Sequence, residues 1–171
     1  MTEQLIIVNN RDVDIGTRTK EDCHSIKGIL HRSVTAFIFN KSGKLLIAQR
    51  SRFKELWPEY WDASFSTHVH RGEDYLSAGT RRVKEELGLL CELKMSPIKF
   101  RFQKRYRDIG SECEMCAILL GEYNGLINPN PQEVSAYEWV SPQRLREDMG
   151  GNSRKYAPWF KIAIKKHPNL L

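Results

Sequence analysis

Two pairs of carboxylates have a spacing that could support chemistry. Glu85 and Glu86 are adjacent just before Gly88, at the expected C-terminal end of a helix, where the helix dipole favours cations over anions. Glu112 and Glu114 lie two residues apart in an expected strand, so both side chains project from one face. Because apolar residues continue that face, the two charges would repel each other in poorly hydrated surroundings. Such a pair requires a cation or a shared proton.

Histidine is the other residue type that suggests a metal. Four of the five histidines are His24, His31, His68 and His70. Imidazole nitrogens and the glutamates of the second pair together would suit a divalent transition metal or Mg²⁺. Spacing along the chain does not bring these residues together, so the hypothesis depends on the fold. We expect His70 to stay outside the site.

Simpler interpretations of the same residues remain open. Arg81 and Arg82 precede Glu85 and Glu86 by four positions, so the helix could carry two ordinary surface ion pairs. The second carboxylate pair could lie on an exposed, charged edge strand. The basic stretch KFRFQKRYR, residues 99–107, could stack single-stranded nucleic acid, but its alternating pattern favours an amphipathic strand.

The composition is typical of one globular domain. The chain has 171 residues, 40% hydrophobic and 28% charged, and a net charge of +6, which weakly favours an anionic partner. No apolar run approaches the roughly 18 residues of a membrane span, and the N-terminus lacks the basic segment of a signal peptide. The four cysteines do not form a dense disulfide framework. We therefore expect a cytoplasmic protein with neither a membrane nor a nucleic acid as partner.

Strand and helix signals alternate along the chain. Strands are predicted at LIIV, SVTAFIFN, KLLIAQR, YWDASFSTH, KFRFQKRYR, CEMCAILLG and SAYEWV. Helices are predicted at 74–87, from Ser141, and at APWFKIAIKKH, with Asp74 as the N-cap of the first and Gly88 just after its end. The expected buried stripe of the first helix comprises Leu76, Thr80, Val83 and Leu87. Antiparallel strand runs with few helices predict an α+β sandwich.

The segment 73–89 resembles the Nudix box, G-x(5)-E-x(7)-R-E-U-x-E-E-x-G-U, in which U is aliphatic. The matching residues are Glu73, Arg81, Val83, Glu85, Glu86, Gly88 and Leu89. Thr67 stands in place of the first glycine. Arg82 stands in place of the glutamate of the RE pair, which usually binds metal in Nudix hydrolases. This reversal of charge argues against ordinary pyrophosphate hydrolysis.

These departures fit one branch of the superfamily. Nearly the whole chain, from LIIVNN to PWF, resembles type I isopentenyl-diphosphate isomerases, through segments such as WPEYWDASFSTHVHRGE, RRVKEELGL, SECEM, NPQEV and YAPWF. The resemblance implies a Nudix α/β/α sandwich with a mixed sheet, in a single domain over residues 1–171. It also implies a small-molecule diphosphate substrate, with Mg²⁺ and a second divalent metal (Mn²⁺, Zn²⁺ or Mg²⁺) as cofactors.

The resemblance implies a role for each matching position. The implied metal ligands are His24, His31, His68, Glu112 and Glu114. Glu86 matches the glutamate that helps hold Mg²⁺ on the diphosphate. Residues that match diphosphate ligands are Lys20, Arg50, Lys54 and Arg82. Trp159 matches the tryptophan that faces the carbocation, and Glu114 also matches the glutamate that transfers a proton.

Two proton-transfer groups of the family are missing. Ser66 replaces the catalytic cysteine, and the assisting tyrosine aligns best with Phe102, although Tyr106 is nearby. A serine hydroxyl exchanges protons far less readily than a thiol with a pKa of about 8.5. The sequence predicts an isopentenyl-diphosphate isomerase-like enzyme that performs a metal-dependent 1,3-allylic proton shift, with Glu114 and Ser66 as catalytic residues. The alternatives are a Nudix hydrolase that cleaves a diphosphate compound with Mg²⁺, and a non-catalytic module that binds diphosphate or RNA.

Overall fold

A computed structural model describes residues 3–171 of the chain. Across these residues, no helix is long and apolar enough to cross a membrane. The described strands are β1 (Gln4–Val8), β2 (Asp14–Thr19), β3 (His31–Phe39), β4 (Leu45–Arg50), β5 (Trp61–Asp62), β6 (Phe65–His68), β7 (Leu93–Tyr106), β8 (Gly110–Glu122) and β9 (Val134–Val140). The α-helices are α1 (Lys20–Cys23), α2 (Tyr75–Leu87), α3 (Pro142–Gly151) and α4 (Pro158–Lys166), and short 3₁₀ turns occupy Ser153–Lys155 and Pro168–Leu170.

Strand β3 lies at the centre of a mixed sheet. It pairs in parallel with β8 and antiparallel with β1, β4 and β6. Strands β7 and β8 form a long antiparallel hairpin, and β9 pairs with β4. The register places His31 opposite Glu114 and Ser33 opposite His68. Residues that are far apart in sequence therefore meet around the start of β3.

Apolar side chains pack on both faces of this sheet. One cluster lies beneath α2 and contains Val34, Phe65, Val83, Leu87 and Leu119. The other lies beneath α4 and contains Phe37, Leu45, Ile118, Trp159 and Phe160. Helices on both sides of a mixed sheet confirm the predicted α+β sandwich.

Helix α2 has the predicted bounds, but its buried stripe was predicted wrongly. Asp74 and Ser77 form a reciprocal capping box at the start, and Gly88 ends the helix with φ of 63°. Leu76 and Thr80 are exposed rather than buried. Gly79 faces the sheet instead, because a Cβ at this position would lie 2.2 Å from a methyl of Leu119. Close helix–sheet packing thus uses small residues, which a hydrophobic periodicity does not detect.

Two strand predictions also differ from the structure. Strand β2 was missed, because its sequence DIGTRT is largely exposed and has no apolar alternation. The predicted single strand YWDASFSTH is divided into β5 and β6. At the break, the Ser64 hydroxyl donates to Leu46 O and accepts from the Ile38 backbone N–H. The break is thereby tied to both β3 and β4, to which backbone hydrogen bonds of Ser64 and Ala63 also run.

Candidate active site

Five predicted metal ligands come together around the start of β3. His24 follows α1, His31 begins β3, His68 ends β6, and Glu112 and Glu114 lie in β8. Single ligand atoms of His24, His31, His68 and Glu112 all lie within 4.8 Å of one another. Glu114 joins them, because its Oε1 lies 3.3 Å from His68 Nε2 and 3.7 Å from His31 Nε2.

The unpaired atoms of this cluster fit a metal. Among the described residues, His31 Nε2 and Glu112 Oε2 are buried without a hydrogen-bond partner. His31 Nδ1 donates to Ile29 O at 2.7 Å, which leaves the Nε2 lone pair facing the cluster. Glu112 Oε2 lies 3.2 Å from His24 Nε2, 3.8 Å from His31 Nε2 and 3.6 Å from His68 Nε2. Three imidazole nitrogens around one carboxylate oxygen form the donor set of a divalent transition metal.

The electrostatics of the cluster also favour a cation. Burial lowers the pKa of His31 to about 3. Burial acts in the same direction on His68, but Glu112 and Glu114 outweigh it and raise its pKa to about 9. Burial and the charge of Glu112 raise the pKa of Glu114, whereas His24 and His68 overcome burial and lower that of Glu112. A metal ion would balance the same carboxylates without these protons.

Basic side chains line the cavity that opens beside the cluster. The cavity has a volume of about 620 Å³, and its walls include Lys20, Arg50, Lys54 and Arg82 together with Ser66, Trp159 and Glu114. Lys20 Nζ lies 3.5 Å from Glu3 Oε2. Arg50 is held in place because its guanidinium donates to the backbone carbonyls of Leu56 and Trp57. The cavity can therefore neutralise a diphosphate-sized anion next to the metal ligands.

Glu86 does not line the cavity; it is buried behind the basic residues. Arg82 Nε donates to Glu86 Oε2 at 2.8 Å, and Arg82 also donates to Glu133. Glu133 accepts from Lys54 as well, so this one carboxylate lies between two basic residues. Glu133 was not among the predicted site residues, although it lies in the NPQEV segment.

Glu85, the neighbour of Glu86 in α2, forms an ion pair with Arg81. Arg81 donates to Glu73 and to Glu85, and it reaches His68 O at 3.4 Å. Glu85 is about half exposed, with 47% of its side-chain surface accessible. Arg81 thus joins the end of β6 to α2. The adjacent Glu85 and Glu86 lie beside arginines, which offset the unfavourable helix dipole.

Ser66 faces the cavity within a dense polar cluster. Its Oγ lies 3.0 Å from Trp159 Nε1 and 3.1 Å from Thr35 Oγ1. Trp159 Nε1 also lies 2.9 Å from each carboxylate oxygen of Asp62, which is 3% exposed. Asp62 was not predicted to have a role; it lies in the predicted strand YWDASFSTH, and Trp159, which contacts it, is far away in the chain.

Neither candidate for the assisting tyrosine lines the cavity. Phe102 pairs with Glu114 across the hairpin, and its ring lies 6.1 Å from that of Trp159. Tyr106 instead packs against Trp57, with ring centroids 5.0 Å apart. His70 is at the cavity wall, but its Nε2 is 2.6 Å from Glu3 Oε1, outside the metal cluster. Neither Phe102 nor Tyr106 therefore contributes to the cavity wall, which does include Ser66 and Glu114.

Asp62 should make stability pH-dependent. Burial raises its pKa to about 6 against the opposing effect of Arg50, so the folded state keeps the proton after the unfolded chain has lost it. The resulting stabilisation is complete below the unfolded pKa and disappears as pH rises through the folded pKa. Between about pH 5 and pH 7.5, the wild type should lose about 1 kcal/mol of unfolding free energy relative to Asp62→Asn. Urea denaturation at both pH values measures this difference, and Asp108→Asn, at a 95% exposed side chain, is the control. An equal pH dependence in wild type and Asp62→Asn would contradict a raised pKa.

Solved structures share this fold. A crystal structure of a Deinococcus radiodurans protein superimposes with a TM-score of 0.71 and 24% identity, covering 88% of this chain and 90% of that one. A structure of a MutT protein from Methanosarcina mazei superimposes with a TM-score of 0.68 and 19% identity, covering 82% of this chain and 94% of that one. At these identities, the likeness establishes the fold alone.

The family follows from sequence comparison. The NUDIX domain model matches residues 29–160. The isopentenyl-diphosphate Delta-isomerase of Haloarcula marismortui is 32% identical, over 96% of this chain and 90% of its own length. The isopentenyl-diphosphate Delta-isomerase 1 of Photorhabdus laumondii is also 32% identical, over 93% of this chain and 91% of its own length. The chain therefore belongs to the Nudix family and, within it, to the isopentenyl-diphosphate Delta-isomerases.

Proposed function

We propose that this protein interconverts isopentenyl diphosphate and dimethylallyl diphosphate by a 1,3-allylic proton shift. One observation carries the proposal: a single cavity is lined by four residues of the candidate metal site (His24, His68, Glu112 and Glu114), four basic side chains, Ser66 and Trp159. A hydrolase needs only the metal and the basic residues. An apolar ring beside a carboxylate suits a substrate that becomes a carbocation. The names of the relatives support the same activity.

The basic side chains bind the diphosphate. Lys20, Arg50, Lys54 and Arg82 lie around one side of the cavity, where their donors and charges match phosphate oxygens. Lys54 and Arg82 both contact Glu133 in the free protein. An incoming diphosphate would therefore exchange one carboxylate for several phosphate oxygens. Glu86 is paired with Arg82 behind the cavity wall, so it would reach a diphosphate-bound Mg²⁺ only if this pair opens when the diphosphate binds.

The metal cluster fixes the proton-transferring carboxylate. His24, His31, His68, Glu112 and Glu114 would hold a divalent metal such as Mn²⁺, Zn²⁺ or Mg²⁺. When bound, this ion supplies the positive charge that balances two buried carboxylates. Ser33 Oγ donates to Glu114 Oε2 at 2.7 Å, which orients the second carboxylate oxygen. Glu114 is thus held in one rotamer before substrate binds.

Proton transfer then involves two sides of the substrate. One group delivers a proton to an alkene carbon, and the other removes a proton from the carbon on the far side of the double bond. Ser66 and Glu114 are the proposed pair, and the Trp159 ring would stabilise the intervening cation. Because a serine hydroxyl is a weak acid, the reaction should be slower than with a thiol.

The remaining features support a small-molecule partner. Phe100 and Phe102 in the basic stretch are 5% and 6% exposed, so they offer no stacking platform to nucleic acid. Lys99 and Arg101 on the other face bind Asp12 and Asn10. We further propose that residues 1–171 form a single Nudix domain, because one sheet joins strands from β1 to β9. A cytoplasmic location suits its four free cysteines.

Direct incubation tests the proposed function. The protein is incubated with isopentenyl diphosphate and a divalent metal, while double-bond migration is followed by NMR and phosphate release by a colorimetric assay. We expect slow migration without phosphate release, because Arg82 occupies the position of a hydrolytic metal ligand. Phosphate release without migration would indicate the hydrolase alternative. Neither reaction, in the wild type or in Ser66→Cys, would indicate a binding module.

A further inference from the structure

A buried carboxyl group stands directly behind the proposed proton-transfer serine. Asp62 is 3% exposed and does not line the cavity, whereas Ser66 does. Burial raises the pKa of Asp62 overall, although Ser66 is among the neighbours that lower it. No role has yet been given to this carboxyl, although burying a charge at the end of a two-residue strand is costly.

The hydrogen bonds around Asp62 bring it and Ser66 to one shared donor. The Ala63 backbone N–H donates to Asp62 Oδ1 at 2.8 Å. The Trp159 indole faces three acceptors at once, namely both Asp62 oxygens and Ser66 Oγ, at 2.9, 2.9 and 3.0 Å. One N–H does not satisfy all three well. When Asp62 is protonated its O–H can donate to Ser66 Oγ, and when it is ionised the Ser66 hydroxyl can donate to it, so Ser66 keeps its own proton in both forms.

The charged and titratable surroundings keep both forms of Asp62 accessible. Arg50, from β4, places NH1 at 3.9 Å from Asp62 Oδ2 and favours the ionised form. The Cys116 thiol on β8 is buried and neutral, since burial raises its pKa to about 12. Burial of Asp62 favours its neutral form, and the balance raises its pKa to about 6. A group with a pKa near neutral pH can both give and accept a proton.

We propose that Asp62 is a proton relay behind Ser66 and takes over part of the task of a catalytic thiol. This inference rests on the proposed isomerase function and deepens it. Ser66 touches the substrate, and Asp62 acts through Ser66 as a positioning and proton-storing residue. Trp159 holds the two oxygens together while its ring borders the cavity.

With isopentenyl diphosphate as substrate, the relay consists of two coupled proton transfers. The Ser66 O–H bond breaks as a C–H bond forms at the terminal alkene carbon, whose π electrons make that bond. The Asp62 O–H bond breaks as its proton reforms the Ser66 hydroxyl. The substrate becomes a tertiary cation, and a base on its other side removes a proton from the allylic carbon, so the double bond reforms one position along. Exchange with water then removes the proton from that base and returns one to Asp62, and the reverse reaction follows the same bonds backwards.

A titration without substrate tests the relay independently of activity. The indole N–H of Trp159 is observed by NMR in ¹⁵N-tryptophan-labelled, Zn²⁺-loaded protein and assigned with Trp159→Phe. We expect its chemical shift to follow a transition near pH 6 in the wild type that is missing in Asp62→Asn. An identical titration in both proteins, or none in the wild type, would overturn the relay.

A kinetic cycle then separates the relay from a structural role. Asp62→Asn should lower kcat by about 10–100-fold in the Ser66 background, with KM changed less than about threefold. In the Ser66→Cys background, Asp62→Asn should lower kcat by less than about threefold, because the thiol is a sufficient proton donor without Asp62. Asp108→Asn is the control for removing a carboxylate.

Each other outcome of the cycle is decisive. An equal loss in both backgrounds means that Asp62 only supports the fold, and no loss in the Ser66 background excludes the relay. Isomerisation that appears only in Ser66→Cys also overturns it, because the relay then does nothing in the native protein. Isomerisation in neither the wild type nor Ser66→Cys contradicts the proposed function itself, whatever the NMR titration shows.

Discussion

Replacing Ser66 by Cys should raise the isomerisation rate by a factor of about 10²–10⁴, the contribution of a well-positioned acid or base. Ser66 lies at the cavity wall with its oxygen 3.0 Å from Trp159 Nε1. A cysteine is nearly the same size, so its sulfur would take the same place. A thiol with a pKa of about 8.5 exchanges protons near neutrality, and the serine hydroxyl is a far weaker acid.

The measurement is the initial rate of conversion of isopentenyl diphosphate at saturating metal. Ser42→Cys, in an exposed turn, controls for the mere addition of a thiol. Ser66→Ala should fall below the wild type if the serine has residual activity. An unchanged rate in Ser66→Cys, with phosphate release readily measured, would restrict the resemblance to the fold and the metal scaffold.

A tyrosine at position 102 should add to this gain. Phe102 pairs with Glu114 in the hairpin and packs near Trp159, so a hydroxyl added to its ring would lie among the proton-transfer groups. Phe102→Tyr together with Ser66→Cys should exceed the product of the single effects, because both residues act on one proton transfer. Simple multiplication of the two effects would indicate that they act on separate steps.

The sequence predicted those parts of the site that depend on local alternation and on matched motifs. Glu112 and Glu114 share a strand face because side chains alternate along a strand with a period of two residues. The capping of α2 follows from Asp74 and Gly88. The convergence of His31 and His68 with Glu112 and Glu114 depends on the parallel pairing of β3 with β8 and the antiparallel pairing of β3 with β6, and the Ser111 N–H ties His24 to β8. That pairing is a property of the fold, and it entered the prediction only through the family resemblance.

The residues that were missed depend on long-range contacts. Asp62 is buried because Trp159, 97 positions later, covers it. Glu133 lies in a loop, and its importance comes from Lys54 and Arg82 on other elements. Gly79 decides which face of α2 is buried through its contact with Leu119. None of these contacts leaves a periodic signal in the chain.

Replacing Glu112 by Gln should abolish the metal site and with it the isomerisation. Glu112 Oε2 is the one anionic atom that lies within 3.8 Å of three imidazole nitrogens in the described cluster. Glutamine has nearly the same shape but presents a neutral oxygen or an NH₂ group to those nitrogens. The affinity for a divalent metal should fall by at least about 100-fold, and the loss of activity should be as large.

Thermal unfolding with and without metal measures this effect without relying on turnover. In the wild type, Mn²⁺ or Zn²⁺ at about 100 times its Kd stabilises the folded state by about 2.7 kcal/mol, which raises Tm by about 5–10 °C. Glu112→Gln should show almost no rise at the same concentration, and a chelator should leave its Tm unchanged. Glu122→Gln, at the exposed end of the same strand, is the matched control and should respond as the wild type does. If Glu112→Gln keeps the full metal-dependent rise in Tm, the ion is held elsewhere, and Glu112 is buried beside the histidines for a reason unconnected with metal.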